Sequence, residues 1–191
     1  MADIVKLDTI PDNLPIPLDD GGADHLPGLT LPPLTLAATT GASVDLGALT
    51  GLGVLYFYPR TGRPDEPLPE GWDMIPGARG CTPQSCAFRD HLGELQALGV
   101  SAVYGISTQT TAYQAEAATR LHLPFALLSD EDRKLAQALR LPMMEVGDMV
   151  LNRRLTLIVE GGRIVKVFYP IFPPDRNAGD VIAALRAPDW R

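Results

Sequence analysis

Cys81 and Cys86 are the two cysteines of the chain, with four residues between them. They stand in the stretch Pro76-Gly77-Ala78-Arg79-Gly80-Cys81-Thr82-Pro83-Gln84-Ser85-Cys86-Ala87-Phe88-Arg89-Asp90, which begins glycine-rich and turns helical. Thr82 has the residue type of an N-cap, its hydroxyl free to accept from a backbone N–H one turn on. Pro83 then takes the first helical position, where its missing N–H costs nothing. Phe88, Leu92, Leu95 and Leu98 follow at helical spacing as one apolar face, and Gly99 closes the run. Cys81 therefore sits at a helix mouth, where unsatisfied N–H groups and the positive end of the dipole face its sulfur. Arg79 lies two residues away. Both features favour the thiolate, the reactive form of the group. Gly77 and Gly80 leave the backbone open to the approach of a small molecule. Cys86 falls about one turn inside the helix. Five residues of helix rise about 7.5 Å and turn the second thiol off the line of the first. A bond between the two sulfurs requires the first helical turn to unwind. The pair is suited to a transient disulfide, with local structure lost while it lasts.

Plainer readings exist for each residue. Two cysteines can be small buried hydrophobes. The helix mouth and the glycine flanks argue against this for Cys81, whereas burial and reactivity are compatible for Cys86. Arg79 is balanced between loop surface and site, and Arg89 reads as half of a structural ion pair. Arg153 and Arg154 read, on residue type alone, as a solvated strand start. His25, His91 and His122 are scattered and lack metal-ligand spacing. Met143 and Met144 read as core filler. The run from Phe168 to Pro174 either walls a pocket or covers a sheet edge, with packing the stronger reading.

Strands and helices alternate around the cysteine helix. Leu34-Thr35-Leu36 and Ser43-Val44-Asp45-Leu46 flank Thr39-Thr40-Gly41-Ala42 as a β-hairpin. Gly53 to Tyr58, closed by Pro59, is an apolar run that reads as a buried central strand. Residues 60–77 form a long connection, of the kind that is functional or mobile, with Trp72 and Ile75 docked on the domain. Ser101 to Ser107 is a strand, Thr110 or Thr111 caps a helix to Leu121, and Phe125 to Leu128 is a short strand. Ser129-Asp130-Glu131-Asp132 has capping-box character and opens a helix to Leu139. Leu155 to Glu160 and Arg163 to Tyr169 flank Gly161-Gly162, the strongest hairpin signal in the chain. Asp175-Arg176-Asn177 precedes a last amphipathic helix. The order implies an α/β fold, a central mixed sheet with helices on both faces. Cys81 then lies beyond the carboxyl end of the first core strand, where active sites of open α/β sheets sit.

The chain has 191 residues, 46% apolar and 20% charged, which suits one domain over residues 25–191 with an N-terminal arm over 1–24. The net charge of −7 and the lack of a basic cluster argue against nucleic acid or an anionic membrane as the main partner. No apolar run reaches membrane-span length, and the first residues lack a secretion-signal pattern. The expected compartment is the cytoplasm, where a two-cysteine pair is more often catalytic or redox-sensing than structural.

These residues resemble a known family. Phe57-Tyr58-Pro59, the motif Gly80 to Asp90, Gly105-Ile106-Ser107, Leu127-Leu128-Ser129-Asp130 and Arg154-Leu155-Thr156-Leu157-Ile158-Val159 are similar to the peroxiredoxins, thiol peroxidases on a thioredoxin-like fold. The subgroup is the Q-type, also called bacterioferritin comigratory protein. The likeness covers roughly residues 28–187 by position, and the cysteine motif is its specific part. It implies that Cys81 is the peroxidatic cysteine, oxidised by a hydroperoxide to a sulfenic acid, and Cys86 the resolving cysteine that condenses with it. Thioredoxin or a similar dithiol would restore both thiols by exchange. Arg154 would stabilise the thiolate and the polarised peroxide, and Gln84 would help hold that arginine. No metal or organic cofactor is implied, and the expected state is a monomer, with homodimers in the wider family. Two positions depart from the family pattern. Met74 and Ala78 stand where the pattern has a proline and a threonine or serine, and residues 60–77 carry an insertion. Thr61, two after Pro59, is placed to fold back and supply the missing hydroxyl; otherwise Ala78 leaves only backbone N–H donors. Two rival readings remain: a protein dithiol–disulfide oxidoreductase, whose usual two-residue cysteine spacing is absent, and a redox-sensing or binding protein that turns peroxide over poorly.

Overall fold

The computed structural model describes residues 6–190. Its centre is β3 (Leu52–Phe57), every residue of which is buried. An unbroken apolar run of this kind needs strands on both sides and cover on both faces. It has them. β4 (Val100–Ser107) runs parallel to β3, and β8 (Leu155–Glu160) runs antiparallel to it. β5 (Leu127–Ser129) extends the parallel side, and the hairpin of β1 (Thr35–Ala38) and β2 (Ser43–Asp45) completes that edge. β9 (Arg163–Phe168) pairs with β8 across Gly161-Gly162 and forms the other edge. The order of the seven strands is β2-β1-β5-β4-β3-β8-β9. This is the expected mixed sheet with a hairpin near each end of the chain.

Side chains alternate across the sheet and so build two cores. Val54, Tyr56 and Tyr58 meet Phe88 of α1 (Cys81–Asp90), Leu95 of α2 (Leu92–Ala97), and Val181, Ile182 and Leu185 of α5 (Asn177–Arg186). Leu55 and Phe57 meet Leu135, Ala136 and Leu139 of α4 (Lys134–Leu139), together with Leu26 and Leu31. Gly105 is required where β4 passes Tyr56, because a Cβ there would lie 2.5 Å from that ring. α3 (Thr111–Arg120) is capped by Thr110, whose hydroxyl accepts from the Tyr113 N–H.

Three local expectations need correction. The cysteine helix opens sooner than the threonine-cap reading placed it. Gly80, at φ +99°, is the N-cap, and its carbonyl accepts from the Gln84 N–H at 3.0 Å. Cys81 is thus the first helical residue and Thr82 caps nothing. Pro83 is third, still among the positions whose N–H has no partner inside the helix. The long helix also divides at His91 into α1 and α2. Finally, Asp130 caps α4 from across a loop. Its carboxylate accepts from the N–H groups of Leu135 and Ala136 at 3.0 and 2.9 Å, while Arg133 turns the chain at φ +57°.

Sequence reasoning missed one hairpin, β6 (Met143–Val146) with β7 (Met149–Asn152), which pair outside the main sheet. It forms a third small core with the long connection: Val146, Leu151 and Met144 pack with Trp72, Ile75 and Ala78. Trp72 and Ile75 therefore dock as expected. The first half of the connection is pinned to α3, with Arg63 over the Tyr113 ring and the Tyr113 hydroxyl donating to Glu66 at 2.7 Å.

Candidate active site

The turn at Gly80 decides where the first thiol points. Only glycine fits there, because a Cβ would lie 2.3 Å from Pro174 Cγ and φ is left-handed. Cys81 follows and is 3% exposed. Arg154, directly before β8 and 2% exposed, brings Nη2 to 3.2 Å from the Cys81 sulfur. The same nitrogen faces the carbonyls of Gly77, Ala78 and Arg79 at 3.1–3.2 Å, so the loop curls around the guanidinium. The Cys81 thiol donates towards the Ala78 carbonyl at 3.5 Å. Nη1 of Arg154 donates to Gln84 Oε1. Gln84, from the first turn of α1, donates in turn to Asn177 Oδ1 at 2.9 Å, and the Thr156 hydroxyl donates to the same oxygen at 2.7 Å. A sulfur, an arginine and a buried polar relay thus join α1, β8 and α5. A cation in contact with sulfur stabilises a thiolate, and it stabilises negative charge that develops on an oxygen bound there.

Cys86 lies one turn further along the intact helix and is half-buried. Burial pushes its thiol above the ordinary value, opposed chiefly by the nearby charge of Arg89. Beyond the first turn, α1 is fixed to the sheet. The Tyr56 hydroxyl donates to Ser85 at 3.0 Å, and its ring stacks on Phe88 at 4.5 Å.

The structure brings Cys81, Arg154 and Gln84 together, with Cys86 close by on the same helix. It does not bring Thr61 to them. Gln109 holds Thr61 through both backbone groups, and the Thr61 hydroxyl donates to Gln109 Oε1 at 3.2 Å. Ala78 supplies a carbonyl where a side-chain hydroxyl was sought. Arg79 turns away from the sulfur, towards Asp73 at 3.3 Å and the Lys6 carbonyl at 2.6 Å. Arg89 pairs with Asp90 and donates to the Leu121 carbonyl, the structural role expected of it. Ile171, Phe172 and Pro174 line a cleft at Arg154, so the segment read mainly as packing also walls the site. Asn177 and Thr156 were not foreseen. Thr156 carried a signal, since it is the second residue of β8 and stands two after Arg154, a spacing that in extended chain puts both side chains on one side. Asn177 carried none beyond its place at a helix start.

Comparisons with known proteins fit this geometry. A family model described as Redoxin matches residues 24–182. The chloroplastic peroxiredoxin Q of Sedum lineare is 31% identical over 162 residues, 84% of this chain and 77% of that protein. The rice protein of the same name, from Oryza sativa subsp. japonica, is 31% identical over 84% of this chain and 66% of its own length. Among solved structures, peroxidoxin BcpB from Mycobacterium tuberculosis aligns with a TM-score of 0.67 at 26% identity, over 85% of this chain and 97% of that one. Fold and site together define a thiol-dependent peroxidase on a thioredoxin-like scaffold. The chain belongs to the redoxin family, among the peroxiredoxins of the Q or bacterioferritin comigratory type.

Proposed function

We propose that Cys81 is the thiol that reduces the peroxide and that Cys86 resolves the product. The contact between Arg154 Nη2 and the Cys81 sulfur at 3.2 Å carries this reading. The Cys81 thiolate attacks the terminal oxygen of a hydroperoxide and the O–O bond breaks. Water or an alcohol leaves with a proton, and the sulfur becomes a sulfenic acid. The first turn of α1 then unwinds, the Cys86 sulfur displaces water from the sulfenic acid, and a disulfide forms. A dithiol such as thioredoxin reduces it by two exchange steps and is itself oxidised. Arg154 holds the thiolate and the peroxide oxygen, and Gln84 with Asn177 aims Arg154. Backbone N–H groups at the start of α1 replace the hydroxyl absent at Ala78. Thr61 acts in the loop and not on peroxide, so Thr61→Val is expected to keep turnover within about twofold, whereas loss of a donor to the reacting oxygen costs far more.

The cycle needs no cofactor and runs in a reducing aqueous compartment, for which the cytoplasm is our reading. Among the described residues no helix is long and apolar enough to cross a membrane. Intact mass after one equivalent of hydrogen peroxide tests the assignment. The wild type is expected to lose the mass of two hydrogens, Cys86→Ser to trap a sulfenic acid, and Cys81→Ser to stay unchanged. A wild type that stays reduced for minutes would replace the assignment with a sensing role, which the alanine at position 78 favours.

A further inference from the structure

The cleft at Arg154 is roofed by a segment that lies outside every motif of the site. Ile75 comes from the long connection, Ile171 and Phe172 follow β9, and Leu14 and Pro15 come from the N-terminal arm. The space between them is too narrow to admit a water molecule. The arm is fastened on both sides of Leu14. Upstream, the Lys6 carbonyl accepts from Arg79 at 2.6 Å. Downstream, Asp20 accepts from the Tyr169 hydroxyl at 2.8 Å and pairs with Arg153 at 3.6 Å. Between the anchors, Pro17 passes over Gly77, where an added Cβ would lie 3.7 Å from it. Of the arm, Leu14 and Pro15 face the cleft, and Leu14 carries the longer apolar side chain. Further along the arm, Ile16 and Leu18 are 66% and 82% exposed.

We infer that the N-terminal arm closes an apolar collar over the cleft at Arg154, whose guanidinium lies 3.2 Å from the Cys81 sulfur, and that Leu14 determines how large an alkyl group can reach Cys81. The inference rests on the peroxidase assignment for its substrate. Hydrogen peroxide has no alkyl group and needs only a small opening of the collar. A hydroperoxide with a bulky tail must lodge that tail among Leu14, Ile75, Ile171 and Phe172, and the arm as seated leaves no room for it. Shape at such an apolar wall discriminates strongly, since even one methylene changes the rate ratio between substrates by about tenfold or more.

The test compares kcat/KM for hydrogen peroxide and cumene hydroperoxide in wild type, Leu14→Ala, Leu14→Trp and Ile16→Ala. Leu14→Ala is expected to raise the cumene-to-hydrogen-peroxide ratio by about tenfold, with hydrogen peroxide itself within about twofold. Leu14→Trp should lower the ratio, and Ile16→Ala should leave it at the wild-type value. Access is also read without turnover. In a Cys86→Ser background, Cys81 is alkylated by iodoacetamide and by the bulkier N-phenylmaleimide, and Leu14→Ala should speed the second reagent selectively. If wild type reduces peroxide but neither ratio moves in the Leu14 variants, the collar is wrong. If wild type reduces no peroxide, the peroxidase assignment falls, and the alkylation ratio alone still decides whether Leu14 controls access to Cys81.

Discussion

Arg154 gathers more of the site than any other side chain. It touches the sulfur, three loop carbonyls and Gln84 from a position almost closed to solvent. A planar fork with five donors can do this; an ammonium on a flexible stem cannot. Arg154→Lys is therefore expected to lower kcat/KM for hydrogen peroxide about a hundredfold, measured by stopped flow. Asn177 works at one remove, since its Oδ1 accepts from both Gln84 and Thr156. Asn177→Ala leaves two buried donors without that acceptor. It should cost about 1–3 kcal/mol in a urea titration and slow the reaction by less than Arg154→Lys does. Cys86 makes a prediction about pH. Burial holds its folded pKa above the unfolded one. The folded protein therefore favours the protonated thiol, and this contribution is full below the unfolded pKa and lost as pH rises through the folded one. In Cys81→Ser, alkylation of Cys86 should be slow near neutral pH and climb at a higher pH in the folded protein than in urea.

At the scale of elements, the start of α1 is held by Gly80 lying against Pro174. Gly80→Ala forces a left-handed φ on a side chain and drives its Cβ into that proline. About 1–3 kcal/mol of strain is expected, plus the cost of moving α1 and the short helical turn before α5 apart. A thermal melt should show a Tm lower by several degrees, and peroxide reduction should fall with it because Cys81 moves off Arg154. The elements differed in how plainly the sequence announced them. β3, the Gly161-Gly162 hairpin and the cysteine helix were legible because apolar period and turn chemistry agree at those places. The boundary at Gly80 was not, because Thr82-Pro83 offers a good cap of its own and only the packing of Gly80 on Pro174 decides against it. The β6–β7 hairpin was hidden because Met143-Met144 and Met149-Val150-Leu151 lack clean alternation, and its partner is Trp72, far away in sequence. The motif and the family likeness named Cys81, Cys86, Arg154 and Gln84, and the structure places Arg154 against Cys81 and Gln84, with Cys86 on the same helix. Asn177 was beyond reach, since nothing local tells which helix start will face Gln84.

Across the whole molecule, the site is a seam between the sheet, α1, α5 and the long connection. Trp72 sits in that connection, 4% exposed, in the same small core as Ala78. On the proposed cycle, unwinding the first turn of α1 would pull on Ala78, so one equivalent of peroxide should shift Trp72 fluorescence and a dithiol should restore it. Trp72→Phe should lose the signal although Trp190 remains. The location of Gln84 has one more consequence. Gln84 belongs to the turn that the proposed Cys81–Cys86 disulfide would open, and it is also a partner of Arg154. On the proposed cycle, the sulfur and Gln84 would leave the arginine in one movement when the turn opens. The protein would then behave like a clock escapement, in which each stroke releases the catch that allowed it. On that cycle a second peroxide arriving before the reductant would find the catch down, and only the return of the helix would set it again.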